Sequence, residues 1–473
     1  MGRAGRVGRA GRAGRAGRAG RAGQAGRAGR AGRKGRRNAL VLLLWAFASY
    51  PPDLPGLRDL PGLRDLPGLR SSRVIAAQSP FEQTVRDLSS SDASVRLRAV
   101  EKLKDAAYPE AAVPLARLVT DPQDAVQLAA IAAELNVFMA ERIVPRKRIG
   151  LVVEVRTPIL AEPLFSAGPS AIGARHVPME VLAALRAAWR DDNPRVGLEA
   201  LYAFGALGDE PSGADRRELL RTSGPDVAAL VGASDPSMRF AALRVIGRLF
   251  AQRKDDAAVD ATVGDAVIGA LNHTDRAVKI AAMRALAAMR DDRAVDSLTK
   301  LFEYYGKGEI AEAALDALAR IAHPSSVPLF IAQLGSKAPA LRALAIDGLA
   351  RERDPAALDR IRAVADADRE EAVALAGAFA AAMLGNGAVD RLVQAAATSK
   401  AQARQYLVEL APGRAQLFAR QTVDPDPRIR LAVVDALAVS NDPEALKIVE
   451  PLVQDGDPRV ARAAEHAAAR LRR

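Results

Sequence analysis

The chain has 473 residues and no cysteine. Disulfides, thiolate catalysis, cysteine-held zinc and a lipidated cysteine are excluded together. Histidine is almost as scarce. His176, His273, His323 and His466 are the only four. None has a second histidine at metal-ligand spacing, so they read as exposed or capping residues. Neither a metal nor any other cofactor is expected. Aromatic residues make up 4% of the chain, too few for a large core built on rings. Alanine and leucine dominate instead, with valine and isoleucine interspersed and few strand-like runs. Helix formers in that proportion point to an all-α chain.

Basic charge is lacking where a nucleic-acid binder would need it. The formal net charge is +12, but residues 1–78 hold 17 Lys and Arg against 3 Asp, and residues 79–473 sum to −2. A nucleic-acid-binding fold concentrates basic residues on its folded face; here the excess belongs to the tail. Residues 1–38 are of low complexity, nearly pure Gly-Arg-Ala triplets over 2–33. Such a segment buries nothing and is expected to be disordered or to precede the true start of the protein. Residues 39–50 are an apolar run following Arg33-Lys34-Gly35-Arg36-Arg37. The run is too short to cross a bilayer core of about 30 Å. Its basic lead, short apolar stretch and small residues around Ala46-Phe47-Ala48 fit an export signal. On that reading the protein is periplasmic or extracellular; otherwise it is cytoplasmic. Residues 51–78 form a linker in which Asp-Leu-Pro-Gly-Leu-Arg recurs three times over 53–70.

From residue 79 a different pattern takes over. Asp235-Pro-Ser-Met-Arg-Phe-Ala-Ala242, Asp275-Arg-Ala-Val-Lys-Ile-Ala-Ala282 and Asp426-Pro-Arg-Ile-Arg-Leu-Ala-Val433 are copies of one motif. Aligned on Arg239, the register reads Arg96, Gln127, Gly197, Arg239, Lys279, Ala311, Arg342, Ala374, Arg404, Arg430 and Ala461. The residue before each is large and aliphatic everywhere except Ala403. A fixed period near 31 residues means stacked helical units. Within a unit, Asp-Pro at 121, 235 and 457 and Asn193-Pro194 offer an N-cap side chain followed by proline at the first helical position. Met238, Ala241, Ala242, Val245 and Leu249 then form a buried stripe at helical spacing. A partner helix carries its own stripe, as in Val113, Leu115, Leu118 and Val119. The expected architecture is a right-handed α-solenoid of about eleven helix pairs.

The motif Asp-Pro-x-Val-Arg-x-Ala-Ala, followed by Ala-Leu and a small residue, resembles the HEAT repeat family, in particular its short bacterial, phycobilisome-lyase-like type. The resemblance covers residues 79–473. It implies the armadillo/HEAT α–α superhelix, with the motif helix lining the concave side. It also implies that the motif Asp and Arg bond between neighbouring repeats. The basic residues Arg96, Arg239, Lys279, Arg342, Arg404 and Arg430 are therefore expected to form a structural ladder rather than a ligand stripe. Deoxyhypusine-hydroxylase-like members of this fold need repeated His-Glu pairs, and the chain has only Glu465-His466. DNA-glycosylase-like members need a basic cleft with aromatics, and the only Trp after residue 78 is Trp189. No chromophore site of a bilin-lyase kind is evident.

Residues 79–135 and 189–473 keep the register; residues 136–188 break it. The break holds the basic cluster Arg142, Arg146, Lys147 and Arg148, the β-branched run 149–155 and a loop-like Gly/Pro/Ser stretch over 165–173. It is either a divergent helix pair or a binding loop, since insertions in solenoids commonly map to binding loops. On the latter reading the four basic residues contact a partner. The function expected from sequence is a non-catalytic protein–protein scaffold, binding on its concave face or insert. The alternatives are a HEAT-type enzyme such as a bilin lyase, or nonspecific nucleic-acid binding by the arginine-rich tail, which would be steeply salt-dependent.

Overall fold

The computed structural model describes residues 80–140, 160–209, 213–252, 260–385, 387–440 and 442–472. The tail, the apolar run, the hexapeptide linker, the cluster Arg142, Arg146, Lys147 and Arg148 and the run 149–155 lie outside the described residues. Within them the chain is helical, with one isolated β-bridge between Met139 and Ile172. None of the described helices is long and apolar enough to cross a membrane.

Every register residue lands in a helix. In chain order these motif helices are Ala93–Ala106, Asp124–Phe138, Pro194–Leu207, Pro236–Leu249, Arg276–Met289, Glu309–Ile321, Pro339–Arg351, Glu371–Met383, Ala401–Leu410, Pro427–Leu437 and Pro458–Leu471. Several start as the sequence predicts. Asn193, Asp235, Asp275, Asp426 and Asp457 sit in extended conformation and accept a hydrogen bond from the backbone N–H two residues on. One start differs. The N-cap of Asp124–Phe138 is Gln123, without a side-chain cap. Asp121 instead accepts from Gln123 N at 2.9 Å and from the Arg96 guanidinium, so its carboxylate serves the repeat before it.

The motif stripe is buried as expected: Met238, Ala241, Ala242, Val245 and Leu249 are all 7% exposed or less. In the partner segment Leu115, Leu118 and Val119 are buried, but Val113 is 38% exposed. There the partner is a one-turn helix, Ala112–Ala116, entered from a 3₁₀ turn at Pro109–Ala111. So short a helix cannot keep a long stripe facing inward, and Val113 turns out to solvent.

Each motif helix packs on the next, and on the helix that precedes it. Between Val295 and Ala397 the shorter helices pack on motif helices rather than closely on one another. Two layers of unequal spacing must curve, with the closer-packed layer inside. Over that stretch the motif helices are therefore the inner layer of an all-α solenoid, and the layer continues through the other repeats because each motif helix packs on the next. Seven residues after the register position lies a column of large core side chains: Leu103, Phe204, Ile246, Leu286, Leu318, Leu349 and Leu437, each 2% exposed or less.

The break in the repeat is narrower than its sequence. Met179–Ala187 packs on Pro194–Leu207 as an ordinary partner helix, and Asp124–Phe138 runs to its full length. Between them, part of the stretch read as a loop is helical, over Ala161–Ser166, with a 3₁₀ turn at Pro169–Ala171. Gly168 between them has φ +86°, a conformation that admits little but glycine.

Candidate functional site

The basic register column is structural wherever its arginine reaches the carboxylate ahead of the next motif helix. Arg96 Nε and Nη2 donate to Asp121 at 2.7 and 2.8 Å. Arg430 does the same to Asp455 at 2.7 Å each, and Arg342 Nε reaches Asp368 at 2.6 Å. Each acceptor precedes the next motif helix and also takes the backbone N–H two residues on. The remaining guanidinium nitrogen closes on a carbonyl six residues back: Ser90, Ser336 and Asp424. Side-chain hydrogen bonds from the arginines hold Asp368 and Asp455 below the usual carboxylate range. Gln127 substitutes for arginine in one rung, donating to Asp191 at 2.7 Å. Lys279 meets the Tyr305 ring and hydroxyl instead. Arg239 and Arg404 donate to Ala233 O and Ser399 O.

The informative positions lie five and nine residues after the register residue, where side chains meet along the inner layer. The first reads Tyr202, Arg244, Arg284, Asp316, Asp347, Phe379, Glu409, Asp435 and His466 from the third repeat onward. The second includes Arg248, Arg320, Arg351 and Arg470. Neither row shows in the motif residues themselves. Counting forward from each register position would have exposed them, because polar groups at a fixed offset on a packed layer must face one another.

At the basic end, the segment Ala161–Ser166 lies on Pro194–Leu207. Arg244 donates to Glu162 at 2.8 Å, to Ser166 Oγ at 2.7 Å and to Tyr202 Oη at 3.2 Å. Arg248 donates to Phe165 O at 2.8 Å. Both guanidiniums stack over the buried Phe165 ring, 5.2 and 5.1 Å from its centroid. The ring fits because residue 205 is glycine: a Cβ there would lie 2.8 Å from Phe165 Cε2 and 2.7 Å from Val245 Cγ2. A cavity of about 380 Å³ continues beside the segment, bounded by Phe165, Phe240, Arg244, Gly247, Arg248 and Arg284. Arg284 is exposed and has no ion-pair partner among the described residues.

The middle of the inner layer carries a buried charge network. Arg351 grips Glu409 through two bonds of 2.7 and 2.8 Å. Tyr406 donates to Asp347 at 2.6 Å and stacks on Phe379 at 4.4 Å. Arg351 also lies over Phe379, 5.1 Å from its centroid. These pairs join residues 58 and 59 apart, skipping the intervening repeat. Burial pushes Asp347 up to about 6, against the pull of Arg351. Burial also opposes ionisation of Glu409, but Arg351 outweighs it and holds that carboxyl low.

At the far end the insert meets the last repeats. Ala140 N donates to Ala171 O and Gly173 N to Phe138 O, and this short pairing presents Pro169 O to Arg470 Nη1 at 3.0 Å. A cavity of about 350 Å³ lies between Ala140, Ile172 and Ala174 on one side and Asp435, His466 and Arg470 on the other. Burial and Arg462 hold His466 below the usual imidazole value. His273 and His323 are capping groups, each accepting the N–H two residues on. Among the described residues no three His, Asp or Glu side chains converge as metal ligands would.

Residues 225–305 match the family model described as HEAT repeats. No curated protein sequence matches the chain. Among solved structures, an engineered protein is 18% identical, with 83% of this chain and 99% of that chain covered and a TM-score of 0.41. A chain from a study of the cadherin–β-catenin interaction is 13% identical over 83% and 94%, with a TM-score of 0.38. Importin beta is 16% identical over 83% and 50%, with a TM-score of 0.33. The matched segment spans the two cleanest motif helices, and the same side-chain caps and core column recur on both sides of it. The chain is a HEAT repeat protein.

Proposed function

We propose that the protein is a non-catalytic interaction scaffold that binds a protein partner on its inner helical layer, around Pro236–Leu249 and Arg276–Met289. The observation that carries this reading is the open cavity there. It is lined by aromatic rings and ends on Arg284, an exposed cation with no ion-pair partner among the described residues. Solenoids bind through extended surface, and an unpaired guanidinium beside apolar rings is a typical anchor for an acidic or backbone-rich partner segment.

The test is affinity capture with the full chain in its native host, identification of the bound protein, and titration of that purified protein against variants. Arg284→Glu weakens binding at least tenfold on this reading, while Asp359→Arg on a partner helix leaves it unchanged. Equal affinity for Arg284→Glu and the unmodified chain would sink the proposal. The sequence also nominates Arg142, Arg146, Lys147 and Arg148 for partner contact. Changing all four to Ser reduces retention of the same protein if they contribute. We also read residues 39–50 as an export signal: N-terminal sequencing from the native host then gives a mature start at Ser49 or near Gln78. An intact N-terminus in the cytoplasm refutes it.

A further inference from the structure

The segment Ala161–Ser166 has the form of a bound peptide. It is a six-residue helix outside the repeat register. Its Glu162, Phe165 and Ser166 stand at i, i+3 and i+4, so they share one face. All three meet the inner layer: the carboxylate and hydroxyl on Arg244, the ring between Arg244 and Arg248 over Gly205 and Tyr202. Its backbone is held as a ligand's would be, with Arg248 on Phe165 O and Glu199 accepting from Ala161 N at 2.8 Å. The receiving groups all belong to repeat helices. The surface that takes the segment also extends past it, into the open cavity that ends on Arg284.

We infer that Tyr202, Gly205, Arg244 and Arg248 form a peptide-docking site that the chain fills with its own segment. The partner peptide it takes presents a carboxylate, a phenylalanine three residues later and a hydroxyl one residue beyond, on one face of a helical turn, with a further acidic group for Arg284. Charge complementarity argues for that occupant: two arginines stack on a buried ring, and an anion on the ring's own helix satisfies one of them. An apolar helix alone would leave Arg244 without its carboxylate. This inference rests on the scaffold reading and sharpens it. Binding becomes a competition, because an intramolecular segment is present at high effective concentration and a partner must displace it.

The experiment uses the full chain and a fluorescein-labelled synthetic peptide of the sequence Leu160–Gly173, titrated by fluorescence polarisation. Glu162→Ala/Phe165→Ala weakens the resident segment, and the peptide then binds at least tenfold more tightly than to the unmodified chain. Adding Arg244→Ala abolishes that binding, and a peptide with alanine in place of its phenylalanine does not compete. If the double variant does not fold by circular dichroism, Glu162→Arg, which sets a like charge against Arg244 and so loosens the resident segment, replaces it with the same expectation. Equal peptide affinity for the unmodified and weakened chains overturns the inference, as does binding that survives Arg244→Ala. The Arg284→Glu measurement on the captured partner does not disturb the resident segment. A failure of the peptide experiment alone therefore removes self-occupancy, and a failure of the Arg284→Glu experiment alone removes the scaffold reading.

Discussion

Glu134 occupies the wrong kind of position for its side chain. It stands seven residues after Gln127, in the column that elsewhere holds Leu103, Phe204, Ile246, Leu286, Leu318, Leu349 and Leu437, with alanine in the other three repeats. It is fully buried, and neither carboxyl oxygen has a hydrogen-bond partner among the described residues. Burial pushes its pKa well above the ordinary glutamate value. Leaving a buried polar group unpaired costs about 1–3 kcal/mol. Glu134→Leu, which installs the residue other repeats use, is therefore expected to stabilise the protein by about 1–3 kcal/mol where the carboxyl is neutral in both states. The sign of the pH dependence follows from the direction of the shift. The unfolded carboxyl loses its proton near 4.5 and the folded one at higher pH, so between those values the unfolded state binds fewer protons. Wild-type stability then falls by about 1.4 kcal/mol per pH unit through that window, and the leucine variant does not share the fall. Urea unfolding of both proteins between pH 4 and 8 reads this out as a difference, which cancels groups common to both, such as Asp347 with its pKa near 6. Hydrogen exchange across Asp124–Phe138 places the gain in the repeat that carries it, since solenoid stability is local. A leucine variant less stable than wild type, or a gain that does not change between pH 4 and 8, would refute the reasoning.

Three other outcomes are expected. Arg342→Ala breaks its rung with Asp368 and lowers the urea midpoint at neutral pH. Because that carboxyl is held below its unfolded value, the difference shrinks as pH falls through the folded pKa, and a pH-independent loss would show that the rung is not ionic. Arg351→Met strands the buried Asp347 and loses the grip on Glu409. Breaking one side of a buried pair costs about 3–5 kcal/mol, measurable by equilibrium unfolding, and a loss below about 1 kcal/mol would contradict the burial of the network. Gly205→Leu drives a side chain into the space of Phe165 and Val245, so protease cleavage within 160–173 accelerates relative to wild type; an unchanged cleavage rate would show that the ring does not need the glycine.

The motif was legible because its requirements are local. An Asp or Asn two residues ahead of a free N–H caps a helix wherever it stands, and Asp235, Asn193, Asp426 and Asp457 do so. Asp121 looked identical in sequence and takes another role, since capping and rung geometry differ only by where the helix begins. The ladder was foreseeable for Arg96, Arg342 and Arg430 from the family resemblance, with acidic residues 25 or 26 positions on. The inner network was not. Asp347 and Tyr406 are 59 residues apart, and only the curvature of stacked helices brings them together. The docking of Phe165 was likewise hidden, because Gly205 reads in sequence as one more small residue on an alanine-rich helix. The polar row five places after the register was present in the sequence all along, at an offset not counted.

Nearly every contact in such a chain joins a repeat to its neighbour, so repeats are able to assemble in any order. The bond from Arg470 to Pro169 is different, because 301 residues separate its ends. It forms only after the whole intervening stack is seated with the right curvature. A slipped or unfolded repeat anywhere along the way moves Arg470 out of reach, whichever repeat it is. A probe pair placed at these two residues would thus count assembly as complete or incomplete, and would sense damage at sites it never touches.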